Sequence, residues 1–309
     1  MQALIDVILP VFLVVAAGYA AAWRKIMTEA SVDGLMKFAL NVAIPALLFL
    51  AIARLDLAEV FHPALMVAFY GGAVSGFVLG LFGARYLFGR GWEDAVAVGF
   101  VCLFSNSLLL GLPITERAYG PDALGPNYAI IAIHAPICYA IGITAMEIVR
   151  AQGSGALAGL TQVGRGLTTN PLILALGAGA AVNLSGLALP GALWDALELV
   201  ARAGLPAALF GLGGVLWRYR PEGDLRLIAW ACAVSLIAHP AITWGLGSLL
   251  GLSVGQQRSA VITAAMAPGV NAYLFADMYG RARRVAASTV LVGTGVCALT
   301  AWVWMTLLP

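Results

Sequence analysis

The sequence predicts an all-α integral membrane protein of ten transmembrane helices, arranged as two inverted five-helix repeats. Three observations lead there. The 309 residues are 61% hydrophobic and only 10% charged, against roughly a quarter charged in an average soluble domain. Two long apolar stretches, residues 95–120 and 259–280, each break near the middle. Elements five runs apart also recur at a nearly constant offset along the chain.

With a mean hydropathy of +0.93, the chain has too few charges to cover a water-facing surface. A helical span needs about 20 mainly apolar residues. Ten such runs lie near 2–23, 33–53, 60–83, 95–119, 123–148, 167–187, 193–217, 225–250, 257–280 and 285–307. The first has no basic stretch before it and lacks the form of a cleaved secretory signal, so it counts as a span. The longest polar connector, Arg150–Gly166, falls between runs five and six. The chain therefore divides into a first repeat, 1–149, a connector, 150–166, and a second repeat, 167–309.

Orientation follows from the basic residues, because cytoplasmic loops carry the Lys/Arg excess. Of the 17 Lys and Arg, twelve fall in loops after odd-numbered runs, among them Arg90, Arg150, Arg165, Arg220 and Arg281. Three fall in even-numbered loops, and Lys37 and Arg202 lie inside runs two and seven. Odd loops, the connector included, are thus expected on the cytoplasmic side and both termini on the outer side.

The repeat is visible in FALNVAIPALLFL of run two and LVARAGLPAALFGL of run seven, which align Pro45 with Pro206 at an offset of 161. An offset of 160 aligns the Tyr-Gly ends of runs four and nine. Five spans is an odd number, so the second half enters the membrane from the opposite side. In inverted repeats of this kind, substrate sites lie near the midplane at broken helices.

Run four reads AVAVGFVCLFSNSLLLGLPITERAYG, and run nine reads SAVITAAMAPGVNAYLFADMYG. The interruptions are expected over Asn106–Pro113 and Pro268–Asn271. A proline removes a backbone donor and clashes with the carbonyl four residues back, and the nearby Gly111 and Gly269 would add freedom to unwind. Freed backbone groups survive in hydrocarbon only where protein or a water-filled cavity surrounds them. Asn106 and Asn271 are amides deep in apolar runs, where an unpaired polar group costs several kcal/mol. They bond either to another helix or to a solute at half-helix N-termini.

Asn41, a turn before Pro45, is placed to bond the carbonyl that the proline frees. Its counterpart Arg202 could neutralise a carboxylate, or pair with Glu198 four residues earlier on the same face. His134 lies mid-run in run five, either as a packing residue or as the carrier of a coupling proton. Cys102, Cys138, Cys232 and Cys297 all fall inside apolar runs, without disulfide or zinc spacing.

At LNVAIPALLF (Leu40–Phe49), SNSLLLGLP (Ser105–Pro113), the Asn170-Pro171 pair and MAPGVNAYLFA (Met266–Ala276), the chain resembles the auxin efflux carrier family. That group contains plant PIN-formed carriers and bacterial organic-anion permeases, and the likeness covers essentially the full length. It implies that the broken helices four and nine cross at the substrate site. It also implies a scaffold of spans one, two, six and seven and a moving transport domain of spans three to five and eight to ten. Asn106, Pro113, Pro268 and Asn271 match the residues that the family's crossing helices contribute. The long cytoplasmic loop of some plant members is absent here, which resembles the short bacterial type. That likeness implies an inner-membrane carrier of a carboxylate such as malate or malonate, and a homodimer through the scaffold.

The residues argue against an enzyme or a nucleic-acid binder. No Ser-His-Asp, HExxH or paired mid-membrane carboxylates suggest an enzyme, no motif suggests a cofactor or metal, and no basic cluster suggests nucleic acid. The expected partners are a small carboxylate and the lipid bilayer. The competing reading is a sodium- or proton-coupled symporter or antiporter on a related inverted-repeat fold.

Overall fold

The computed structural model describes residues 4–55, 62–150, 170–219 and 221–309. Every regular element among them is helical. Seven helices are long and apolar enough to cross a membrane: α1 (Ile5–Trp23), α2 (Glu29–Arg54), α3 (Pro63–Leu87), α6 (Pro121–Arg150), α8 (Gly191–Trp217), α9 (Leu225–Leu249) and α12 (Arg283–Leu307). Between them lie α4 (Trp92–Leu103), α5 (107–119), α7 (Pro171–Ser185), α10 (Val254–Ala264) and α11 (Val270–Tyr279). Runs four and nine of the sequence are therefore each two short helices, α4 with α5 and α10 with α11. Run six is a helix of 15 residues, shorter than the ~20 that an upright span requires. The connector over 151–166 and Arg220 lie outside the described residues, and so does Arg165.

Proline explains a recurring irregularity. Widened turns with i→i+5 hydrogen bonds cover Leu4–Ile8, Ala39–Ala43, Gly83–Leu87, Ser107–Gly111 and Val234–Ala238. All but Gly83–Leu87 end two residues before a proline: Pro10, Pro45, Pro113 and Pro240. In three of them the residue just before the proline donates across the wide turn, Ile44 to Ala39, Leu112 to Ser107 and His239 to Val234. The extra residue per turn moves the upstream carbonyls off the pyrrolidine ring, so the helix continues past a residue that would otherwise kink it. At Pro45 this wide turn, rather than the exposed side chain of Asn41, accommodates the ring.

The described residues form two compact units. One comprises 10–55 and 170–218. There α1 and α8 approach so closely that a β-carbon on Gly18 would meet the Phe210 carbonyl, and one on Gly213 the Val15 carbonyl. Helix α7 packs on the second half of α2, with Gly179 against the Phe49 carbonyl. Asn183 then donates its amide to the carbonyls of Ile52, Ala53 and Leu55 at 3.0, 3.1 and 2.7 Å, satisfying the acceptors that the end of α2 leaves open. Arg202, its side chain 77% exposed, pairs with Glu198 four residues earlier at 4.0 Å, as its spacing predicts. Glu198 also receives Arg54 at 2.7 Å, and Arg54 lies over the Trp194 ring. The chain also kinks at Ala203, immediately after Arg202, where α8 restarts at Gly204.

The other unit comprises 4–9, 62–150, 219 and 221–309. Helix α3 is the spine on which α4 and α9 pack, and a line of glycines makes the approach possible. A β-carbon on Gly76 would meet the Cys102 carbonyl, and one on Gly80 the Cys102 sulfur. One on Gly72 would meet Thr243 and His239 of α9. Tyr70 of α3 donates to the Ile130 carbonyl of α6 at 2.8 Å. The four cysteines are buried free thiols. Several leucines at helix ends and faces stay largely uncovered, Leu184 at 78% and Leu249 at 81% among them.

Candidate functional site

Both interruptions fall in the same unit, and they meet. Helix α4 ends at Leu103, and α5 begins only after Phe104, Ser105 and Asn106 have left helical geometry. Helix α10 ends at Ala264, and α11 begins at Val270 after a five-residue break. The two breaks run antiparallel, with Ser105 opposite Pro268. The Asn106 N–H donates to the Ala267 carbonyl at 2.8 Å, and the Gly269 N–H to the Phe104 carbonyl at 2.9 Å. Proline has no N–H, so Pro268 fits this ladder where its neighbours on both sides make the bonds. Two backbone bonds thus satisfy, inside protein, groups that the interrupted helices would otherwise leave bare.

The first break is shorter and earlier than the sequence suggested. It covers 104–106, and Pro113 sits seven residues beyond Asn106, inside α5. The wide turn at Ser107–Gly111 absorbs that proline, so Pro113 does not open the helix. Nor do the glycines. A β-carbon on Gly111 or on Gly269 would find its nearest neighbour at an ordinary 3.4 Å, and neither has positive φ. The first half ends at Leu103 with Phe104 as its C-cap, and Asn106 caps the start of the second. The Asn106 Oδ1 accepts from the Leu109 N–H at 3.3 Å, as an N-cap amide does.

That bond also fixes which way the Asn106 amide points. Its Nδ2, fully buried, has no partner among the described residues, and the same holds for Ser105 Oγ. Asn271 lies in the first turn of α11, half-buried, and its Oδ1 accepts from the Tyr139 hydroxyl at 3.4 Å. His134 of α6 sets Nε2 3.2 Å from the Ser105 carbonyl. Phe104 packs edge-on to that imidazole at 4.7 Å. Phe100 stacks on Phe275 at 3.9 Å, and Gly142 makes room for the Phe100 ring. The crossing is therefore a polar knot walled by aromatic rings, with two half-helix N-termini, those of α5 and α11, starting from it.

Sequence reasoning passed over a second junction. Asn127 of α6, wholly buried, donates Nδ2 to Thr115 Oγ1 of α5 at 3.2 Å and to Thr263 Oγ1 of α10 at 2.9 Å. One amide thus ties a half of each interrupted helix to a third helix. The signal was available: Asn127 is an amide in an apolar run, the criterion that singled out Asn106. At the far ends of α4, α6 and α11 the polar chemistry changes to charge. Glu93 receives Arg281 at 2.6 Å and Arg150 at 3.2 Å, while Arg150 also donates to the Tyr279 carbonyl. Asp277 pairs with Arg283 at 3.1 Å. Just beyond the membrane-length helices, the N-cap Asp224 binds Arg90 at 2.7 Å. Burial acts upward on this carboxyl, yet the Arg90 hydrogen bond and the Leu227 and Arg226 amides hold it below the usual carboxylate range.

The predicted residues separate accordingly. Asn106, Gly111, Pro113, His134, Pro268, Gly269 and Asn271 belong to the unit that contains the crossing, whereas Asn41, Glu198 and Arg202 belong to the other. No charged side chain is among those that make the crossing. No group of metal-ligating side chains occurs among the described residues.

A family model described as "Membrane transport protein" matches residues 3–305. The chain is 24% identical over 303 residues to a Rhizobium meliloti protein named "Putative malonate transporter", covering 95% of this chain and 92% of that one. It is also 24% identical over 307 residues to an Escherichia coli K12 protein and a Shigella flexneri protein, each named "Uncharacterized transporter YfdV". These matches cover 96% of this chain and 95% of each relative.

Proposed function

The chain belongs to the membrane transport protein family, the auxin efflux carrier family of the sequence resemblance, and on that premise we propose that it is a secondary carrier of small organic anions. It is a multi-pass membrane transporter and not an enzyme. The solute is a malonate- or malate-like dicarboxylate, or another small carboxylate, held at the crossing of the two interrupted helices. The observation that carries this reading is the pair of backbone bonds, Asn106 to Ala267 and Gly269 to Phe104, that joins the two breaks beside two amides, Asn106 and Asn271. With no cationic side chain at the crossing among the described residues, the anion is held by amide N–H groups and by the positive ends of α5 and α11. Each such end contributes roughly 0.3–1 kcal/mol, and up to ~2 when partly buried. The name of the Rhizobium meliloti relative supports malonate as the first solute to try.

The architecture that goes with this reading has ten spans, counting α4 with α5 as the fourth and α10 with α11 as the ninth, in two inverted halves. Spans one, two, six and seven form a scaffold, through which two copies associate. The unit bearing the crossing moves against it, elevator fashion, in an inner membrane with both termini outside. The division into two compact units, each drawing on both halves of the sequence, supports that grouping. Uptake of radiolabelled malonate, malate and indole acetate by proteoliposomes tests the function. Saturable uptake of at least one is expected, and uptake of none, at any pH, would contradict it.

A further inference from the structure

The crossing contains one ring that can change charge. We propose that His134 is a proton-binding site coupled to the anion, so that one proton enters with each solute. This rests on the anion-carrier reading and adds the coupling ion to it.

A carbonyl can only accept, so at 3.2 Å from the Ser105 oxygen His134 Nε2 must be the protonated nitrogen. Nδ1 then carries the lone pair, which accepts only the weak S–H donor of Cys138 at 3.7 Å, one turn along α6, and that thiol can turn to accept instead. A proton from water added at Nδ1 gives an imidazolium without breaking the Nε2–H bond to the backbone. The Ser105 carbonyl is covalently joined to the Asn106 amide group, and Asn106 carries the buried, partnerless Nδ2. A positive ring at the Ser105 carbonyl and a carboxylate held by Asn106 would therefore sit on neighbouring residues of the broken strand. In a water-poor interior such opposite charges attract far more strongly than in bulk solvent. The binding of each then favours the other by the same factor. An empty site holds neither charge, which spares the interior an uncompensated ion.

The surroundings leave His134 to do this unaided. The titratable groups facing it are Cys138 on its own helix and Tyr70 on α3, whose hydroxyl is already bonded to Ile130. Across the Phe69 ring lies His239 of α9, at 5.7 Å from that ring as His134 is at 5.6 Å. No carboxylate, lysine or arginine faces the ring among the described residues, so no fixed charge does the balancing. Asn106, Asn271 and His134 also share one compact unit, so a proton taken up with the solute stays beside it.

The test uses the full chain in proteoliposomes holding a pH-sensitive dye, with the membrane potential clamped to zero and radiolabelled malonate as probe. Protein-free vesicles correct for passive entry of the free acid. The wild type should acidify the lumen as malonate enters and, with the outside more acid than the lumen, accumulate it about tenfold per pH unit of difference. His134→Gln keeps an N–H for the Ser105 carbonyl and has no titratable nitrogen. It should lose the gradient-driven accumulation, the ratio falling to about one, with its thermal unfolding midpoint unshifted. His134→Asn gives the same readout if the longer amide does not fold. Gradient-driven accumulation that survives in His134→Gln overturns the proposal, and so does loss of it in His239→Gln with His134 intact. Malonate entry into wild-type vesicles without proton movement overturns the coupling alone. If no small carboxylate enters, the anion-carrier reading falls and takes the coupling with it.

Discussion

Replacing Asn106 by serine separates two jobs that one amide performs. Its Oδ1 caps α5 through the Leu109 N–H, and its Nδ2 is buried with no acceptor among the described residues. Serine caps about as well as asparagine, whereas alanine at such a position costs typically ~1 kcal/mol. The empty protein should therefore keep its stability within about 1 kcal/mol in Asn106→Ser, because the group removed was unpaired. Binding should respond differently. A hydrogen bond to a charged group contributes about 1.5–3 kcal/mol, so losing it weakens the dissociation constant for malonate by about 10- to 150-fold. Asn106→Ala should show the same loss of affinity with an added fall in unfolding temperature. The assay is thermal unfolding of purified protein with and without malonate, since a ligand of the folded state raises apparent stability by mass action. Wild-type malonate affinity in Asn106→Ser would refute the reasoning, because the free amide would then have no part in binding.

Asn127→Ala should be among the most damaging polar substitutions: it leaves two buried threonine hydroxyls without their donor. A cost of about 2–4 kcal/mol follows from the lost bonds and the void, and an unfolding midpoint within a degree of wild type would contradict it. Gly213→Ala should abolish folded expression, since the added carbon meets backbone that cannot yield. Gly111→Ala, with ordinary contacts, should express normally; detergent chromatography distinguishes the two. Glu93→Gln removes the shared partner of Arg150 and Arg281. These groups are partly exposed, so the effect should be about 1 kcal/mol or less and should shrink as salt is raised.

The helical class and the places of the two interruptions were legible because they rest on one-dimensional signals: apolar run length, and prolines and amides inside those runs. Pro113 was misread for a physical reason. A proline in an apolar run signals a broken helix only when nothing else relieves its ring, and the wide turn at Ser107–Gly111 relieves it. Nothing local distinguishes that outcome from a true break. Arg202 was legible in part: of its two possible partners, the acid four residues earlier on the same face is the one it meets, Glu198 at 4.0 Å. That Glu198 is shared with Arg54, 144 residues away, had no local mark. The Asn127 junction needs Thr115 and Thr263, whose sequence separations from it are 12 and 136. Two threonines so placed carry no mark of a shared partner until the chain has folded.

Equilibrium binding of radiolabelled malonate, with wild type compared against the double variant Asn106→Ser, Asn271→Ala, bears most directly on whether the meeting of the two broken helices holds a small acid. Saturable binding by the wild type and none by a folded double variant at the same concentrations is the expected result. Equal binding by both proteins would place the solute elsewhere and contradict the account.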